Sequence, residues 1–190
     1  MPKLVLISGS LRAASTNSAV VRAAAEIAGT HPDIEVEIAS VRDLPLFDED
    51  LEAQGDPPRV VDLKRTVQSA DVLLISTPEY NASVPGGLKN ALDWLSRPHG
   101  ESVLTGKPVA TISASPSGYG ASWSQTHLRT ILVDGIGAAL VNAEPVCVAW
   151  SDKCVTGTTL NDRSALAAVR SLVEKAVGHR LRLDECCGRA

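Results

Sequence analysis

The residues able to do chemistry in this chain gather in three short stretches. The first is "GSLRAASTN", residues 9–17, directly after the apolar run "LVLIS" at 4–8. Ser10, Ser15 and Asn17 offer side-chain donors, Ser18 adds another, and Arg12 supplies the planar charged fork that matches phosphate oxygens. A helix starting near residues 16–18 aims its free N–H groups and positive dipole end into the same space. Capping of that helix by Ser15, Thr16 or Asn17 accounts for one of these residues and leaves Arg12 unexplained. The stretch therefore reads as a phosphate cradle. It is neither a Walker A loop, lacking Gly-Lys-Ser/Thr, nor the G-x-G-x-x-G dinucleotide turn. No G-x-S-x-G elbow occurs, and none of His31, His99, His127 and His179 is an evident partner for a serine nucleophile. A phospho-acceptor site would need acidic residues where this run ends in Ser-Gly-Ser.

The second stretch is "TPEYNASVPGGLKNALDWLSRP", residues 77–98. Pro78 and Pro85 stiffen the ends of a turn with Glu79, Tyr80 and Asn81 at its tip, and Gly86–Gly87 permit close backbone approach. A planar heterocycle fits along such a loop, its polar edge on backbone groups and Tyr80 near its face. A plain strand-to-helix turn also suits Asn and Gly, but does not require Glu-Tyr between two prolines. The third stretch, "SASPSGYGAS" at 113–122, is small and glycine-rich, with Ser115 and Gly118 leaving room for a ligand. Alone it is an ordinary loop, and it gains meaning only from its place in the chain.

The elements between these stretches say what positions them. Candidate strands are 3–8, 34–41, 71–77, 108–114 and 144–150. The first, third and fourth are near-continuous apolar runs, as strands covered on both faces are, while "IEVEI" alternates like an edge strand. Helical patterns occupy 18–28, 87–97, 121–133 and 162–177, with Leu88, Ala91, Leu92 and Leu95 forming one stripe. Strand–helix alternation throughout predicts an α/β, doubly wound five-stranded parallel sheet of flavodoxin-like order 2-1-3-4-5 with helices on both faces. All three stretches then leave the C-terminal ends of strands 1, 3 and 4, where such sheets bind ligands.

Composition bounds the rest. A chain of 190 residues with 44% hydrophobic and 21% charged residues suits one globular domain, expected over 1–180, with a flexible C-terminal tail at 181–190. No apolar run has the length of a membrane span. A net charge of −4 without a basic cluster speaks against a nucleic-acid partner. Cysteines at 147, 154, 186 and 187 form no CxxC or zinc pattern and read as free thiols in a cytoplasmic protein. By helix phase, Trp94 lies off the Leu88–Leu92–Leu95 stripe, and Trp123 and His127 lie off the next one. Flanking the core is one reading of these positions, and anchoring a subunit interface is the other.

"GSLRAASTN" followed about 60 residues later by "TPEYNASVPGGLKNALDWLSRP" resembles the NADPH-dependent FMN reductase family over roughly residues 3–178. That family holds quinone, azo-dye and chromate reductases. The resemblance implies FMN as cofactor and NADPH or NADH as hydride donor. Its phosphate would lie on Ser10, Arg12, Ser15, Asn17 and Ser18, its isoalloxazine along Pro78, Glu79, Tyr80 and Asn81. Ser115 and Gly118 complete the site, although "ASPSGYGA" departs from the more glycine-rich family versions. It further implies ping-pong transfer to a small-molecule electron acceptor, no strictly catalytic side chain, and a homodimer or homotetramer. A flavodoxin-type electron carrier or a flavin-bound redox sensor is the rival reading. Carriers tend to be strongly acidic, and this chain is not.

Overall fold

The computed structural model describes the backbone of residues 1–187 and the side chains of 1–179. Four strands run parallel where the apolar runs predict them: β1 (Lys3–Ser8), β2 (Glu35–Ala39), β3 (Val72–Thr77) and β4 (Pro108–Ala114). Their order is β2-β1-β3-β4, followed by two short strands in the fifth position, β5 (Ala139–Leu140) and β6 (Val146–Val148). This is the expected 2-1-3-4-5 arrangement with its last strand broken in two.

The break has a chemical cause. Between β5 and β6 the Asn142 side chain stands in for the missing ladder. Its Oδ1 accepts from Thr111 N at 2.9 Å and its Nδ2 donates to Thr111 O at 3.1 Å. A side-chain amide carries the same donor–acceptor pair as a peptide unit, so β4 loses no hydrogen bonds at the gap.

Alternating side chains of the sheet feed two cores. Leu4, Leu6, Leu74 and Ile112 pack beneath α1 (Thr16–Ala28) and α7 (Arg163–Cys187). Val5, Ile7, Leu73 and Ile75 pack beneath α3 (Pro58–Ser69), α4 (Gly86–Leu95) and α5 (Ser122–Thr130). Every residue of β3 is buried, as a central strand covered on both faces must be. The edge strand β2 exposes Glu35, and Lys3 of β1 pairs with Glu35 and Glu37 at 2.8 and 2.7 Å. Charge on an edge also discourages pairing with a foreign strand.

Smaller elements complete the chain. A short helix α2 (Glu49–Ala53) lies before α3, and α5 runs on into a π-helical turn at Ile131–Ile136. After β6 come α6 (Ser151–Cys154) and a small hairpin of β7 (Val155–Thr156) and β8 (Thr159–Leu160). Helix α7 continues past the expected end at 177 to Cys187. Of the tail expected at 181–190, residues 188–190 lie outside the described residues, as do the side chains of Cys186 and Cys187. Cys147 and Cys154 are free thiols, and burial, with Asp162 and Asp152 nearby, pushes the Cys154 thiol up. Among the described residues no helix is long and apolar enough to cross a membrane.

The subunit-anchor reading of Trp94 is overturned. Its side chain is 0% exposed, its Nε1 donates to Pro45 O at 2.9 Å, and its ring meets Phe47 edge-on at 5.0 Å. The flank of α4 is covered by the chain's own segment around residues 44–48, so Trp94 is a core residue. Trp123 is off the core as expected, 56% exposed and stacked on Tyr119 at 5.5 Å.

Candidate active site

The C-terminal ends of β1, β3 and β4 lie side by side, in register Ser8↔Ser76 and Thr77↔Ser113. The loop after β1 therefore starts against β3. Gly9 N donates to Ser76 O at 2.8 Å, and a Cβ at Gly9 would stand 2.8 Å from Leu88 Cδ2. A larger residue here would have to displace the Leu88 side chain of α4.

The loop then folds on its own hydroxyls. Ser10 N donates to Ser8 Oγ and Arg12 N donates to Ser10 Oγ, both at 3.3 Å. Ser15 is the N-cap of α1, its Oγ accepting from Ser18 N at 3.4 Å. A hydroxyl that accepts from a backbone N–H keeps its own proton to donate elsewhere. Helix geometry leaves the N–H groups of Thr16 and Asn17 without intrahelical acceptors. The first turn of α1 contains no acidic residue, so its positive end is not neutralised from within.

Asn17 holds this end in place. It is 2% exposed, its Nδ2 donates to Ala114 O at 2.9 Å, and its Oδ1 accepts from Ser76 Oγ at 2.8 Å. One amide thus ties the start of α1 to β3 and to the end of β4.

The loop after β3 is fastened to α5. Pro78 O accepts from Thr77 Oγ1 and Ser124 Oγ, each at 2.8 Å. Glu79 Oε2 accepts from Trp123 N and Ser124 N, both at 3.1 Å. The residue in the N-cap position of α5, Ala121, has no capping side chain, so the Glu79 carboxylate does that work from another loop. Tyr80 and Ser83 close a tight turn through paired backbone bonds of 3.1 Å, with Asn81 and Ala82 at φ 52° and 60°. Asn tolerates this left-handed geometry better than most residues.

The loop after β4 is backed by the segment leaving β6. Ser115 N donates to Val148 O at 3.1 Å, and Ser151 N donates to Ser115 O at 3.0 Å. Gly118 lies under the Trp150 ring, where a Cβ would come within 2.9 Å of Cζ2. Gly120 has φ +58°, and a Cβ there would stand 2.9 Å from Ala149 N.

These three loops enclose a cavity of about 260 Å³. Of the residues singled out from sequence, Ser10, Arg12, Ser15, Asn17, Pro78, Glu79, Tyr80 and Ser115 line it. Three do not. Ser18, one position past the helix start, turns its Oγ to Ser8 Oγ at 3.0 Å and faces a different hollow. Asn81 sits in the tight turn, and Gly118 faces Trp150. Thr16, Ala114 and Pro116 line the cavity without having been singled out. Thr16 was legible as the first residue of a helix whose N-terminus was expected to face the site. Pro116 carries no signal until its loop is placed.

The cavity suits a flat molecule with an anionic end. Arg12, the hydroxyls of Ser10 and Ser15 and the open N-terminus of α1 form a cationic, donor-rich corner. Pro78, Tyr80 and Pro116 form stiff walls on the side away from it. FMN has this build, a phosphate at one end of a ribityl chain and a planar ring at the other. The residues present fit it.

The comparisons agree. Residues 2–151 match the family model described as NADPH-dependent FMN reductase. An NAD(P)H-dependent FMN reductase of Pseudomonas aeruginosa is 45% identical over 131 residues, 69% of each chain. A quinone reductase of Escherichia coli is 43% identical over 132 residues, again 69% of each chain. Among solved structures, the flavoenzyme FerB, an NAD(P)H:(acceptor) oxidoreductase of Paracoccus denitrificans, superposes with a TM-score of 0.84. It shares 29% identity, with 96% of this chain and 98% of that one covered. A flavodoxin-like sheet with a cavity at its strand ends is thus matched by relatedness across most of the chain. The chain belongs to the NADPH-dependent FMN reductase family and is an oxidoreductase that works with FMN and NAD(P)H.

Proposed function

We propose that this enzyme takes hydride from NAD(P)H and passes it, in a ping-pong cycle, to a small acceptor: a quinone, an azo compound, free flavin or chromate. The carrying observation is the continuous cavity that joins the cationic corner at Arg12 and α1 to the stiff slot between Pro78–Tyr80 and Ser115–Pro116. Bound FMN supplies the hydride chemistry at its N5. The protein's part is binding, orientation and electrostatics. Arg12, Ser10 and Ser15 hold the phosphate, while the first-turn N–H groups of Thr16 and Asn17 add donors without bringing a countercharge. Glu79 is committed to capping α5, which supports a role in shaping the loop and not in moving protons. Tyr80, 52% exposed at the mouth, is free to lie beside donor or acceptor. Free Cys147 and Cys154 fit a reducing, cytoplasmic setting.

The test is spectroscopic and kinetic. Purified protein supplied with FMN is expected to bind it, and NADPH or NADH without oxygen to bleach its visible absorbance. With a quinone present, double-reciprocal plots at several quinone concentrations are expected to be parallel. Bound flavin that neither nucleotide bleaches would make the protein a carrier or sensor. Intersecting lines would replace ping-pong by a ternary complex.

The same reading includes a homodimer or homotetramer. Tyr119 and Trp123, 67% and 56% exposed, form a stacked aromatic pair beside the cavity mouth, a composition enriched in interface anchors. Trp123→Glu is expected to lower the mass measured by sedimentation at low micromolar concentration. An unchanged mass would remove Trp123 from any interface.

A further inference from the structure

Across the Ser10–Arg12 segment from the flavin cavity lies a separate hollow of about 360 Å³, bordered by the first turns of α1 and the end of β2. Arg12, Arg22 and Arg42 line it, and none of its lining residues is Asp or Glu. Among the described residues none of these three arginines forms an ion pair. In a chain of net charge −4 this is a local concentration of positive charge that composition does not foreshadow. Two of the guanidinium groups are anchored by neutral backbone carbonyls. Arg22 Nε and Nη2 donate to Thr158 O at 3.3 and 2.8 Å, and Arg42 Nη2 donates to Leu11 O. A carbonyl fixes a guanidinium without cancelling its charge, and each arginine has five N–H donors, so several remain to bind a ligand. Ser8 and Ser18 also line the hollow, their Oγ atoms 3.0 Å apart, so one of the two hydroxyls keeps its proton for a ligand. Leu11 and Ile38 supply apolar wall, and low-dielectric walls concentrate the field of a cleft lined by one sign of charge.

We infer that this hollow binds a compact multivalent oxyanion of the phosphate or pyrophosphate class, and that the bound anion opposes the loading of FMN. Three guanidinium forks with no countercharge suit an anion that carries several charges and several acceptor oxygens. The opposition comes from the wall between the two hollows. Arg12 lines both, is exposed, and makes no side-chain hydrogen bond among the described residues. Its one guanidinium serves the flavin phosphate on one side or the oxyanion on the other, and two anions across a single loop also repel each other. Such a coupling is reciprocal, so FMN weakens the oxyanion by the factor by which the oxyanion weakens FMN. The antagonism rests on the placement of the FMN phosphate at Arg12 proposed above, whereas the oxyanion site stands on the arginines alone.

The test titrates FMN into apo-protein at fixed ionic strength, set with sodium chloride so that general screening is constant. An excess of inorganic pyrophosphate is expected to weaken FMN binding about tenfold, the scale of one charge-assisted hydrogen bond, and to leave riboflavin binding unchanged. In calorimetry, FMN-saturated protein is expected still to bind pyrophosphate, about tenfold more weakly than apo-protein does. Arg22→Ala, on the α1 surface, is expected to keep the FMN affinity measured without pyrophosphate and to lose most of the pyrophosphate effect. Because Arg22 also holds the Thr158 carbonyl, Arg42→Ala serves as the second variant, with the same loss of effect expected. Pyrophosphate that fails to bind FMN-saturated protein, or an effect on FMN that survives in both variants, would put the anion in the flavin phosphate's own place and overturn the inference. Riboflavin weakened as much as FMN, or pyrophosphate bound with no effect on FMN, would overturn the antagonism. Unchanged FMN affinity in Arg12→Ala, with pyrophosphate still bound, would overturn the placement of the flavin phosphate and leave the oxyanion site standing.

Discussion

Asn17→Ala is expected to cost the protein about 2–4 kcal/mol of stability and to lower its melting temperature by roughly 5–15 °C. The reason lies in what the amide holds. Asn17 Nδ2 donates to Ala114 O and Oδ1 accepts from Ser76 Oγ, all within a site only 2% exposed. Alanine would leave a carbonyl and a hydroxyl without those partners, and each buried group left unpaired costs on the order of 1–3 kcal/mol. Asn17→Asp is not a conservative alternative. It keeps the acceptor for Ser76 but sets a carboxylate oxygen against the Ala114 carbonyl, and it places negative charge where a phosphate is to bind. Apo-protein is the material to melt, since bound FMN would add its own stabilisation. An apo melting temperature unchanged by Asn17→Ala would mean that the three strand ends do not depend on this clamp.

That clamp marks where sequence reasoning reaches its limit. Asn17 is legible as part of a donor-rich loop, but its partners are 59 and 97 residues away, at separations no local pattern encodes. The sheet was legible because buried parallel strands need continuous apolar runs, and β1, β3 and β4 have them. The broken fifth strand was not, since Asn142 completes the β4 ladder through a long-range side-chain contact. Helix α3 escaped notice for another reason. It begins at Pro57–Pro58 and carries only Val60, Leu63 and Val67 on its buried face among mostly polar residues. Trp94 shows the weakness of a helical wheel: it gives the direction of a side chain but not the path of the loop that comes to cover it.

The same distinction separates the site residues. Ser10, Arg12 and Ser15 were readable as cavity-lining residues because they belong to one loop and one helix end, a local device. Ser18 is the exception, its Oγ turned to Ser8 Oγ and to the hollow on the other side of the first loop. Glu79 reads as a loop-tip residue facing a ligand. It lines the cavity, yet one of its oxygens caps a helix that begins 43 positions later, at Ser122. The loops after β3 and β4 are therefore fastened to one another through the start of α5.

Arg12→Ala is expected to weaken FMN binding by roughly 10–100-fold while leaving the stability of the apo-protein within about 0.5 kcal/mol of wild type. Arg12 is exposed and extends from a loop, so the core loses nothing with it. Its charge-assisted contact to a phosphate is the strong kind of hydrogen bond, and its removal leaves the hydroxyls of Ser10 and Ser15 and the helix end to hold the anion alone. Arg12→Lys keeps the charge but loses the planar fork, and is expected to fall between the two. Riboflavin supplies the decisive control because it presents the same ring and no phosphate. Wild-type apo-protein should bind FMN far better than riboflavin, and Arg12→Ala should shrink that difference by lowering FMN affinity with little change for riboflavin. A variant that loses both ligands equally would show that Arg12 shapes the cavity and does not read the phosphate. A variant that loses neither would leave the N-terminus of α1 as the whole of the anion site.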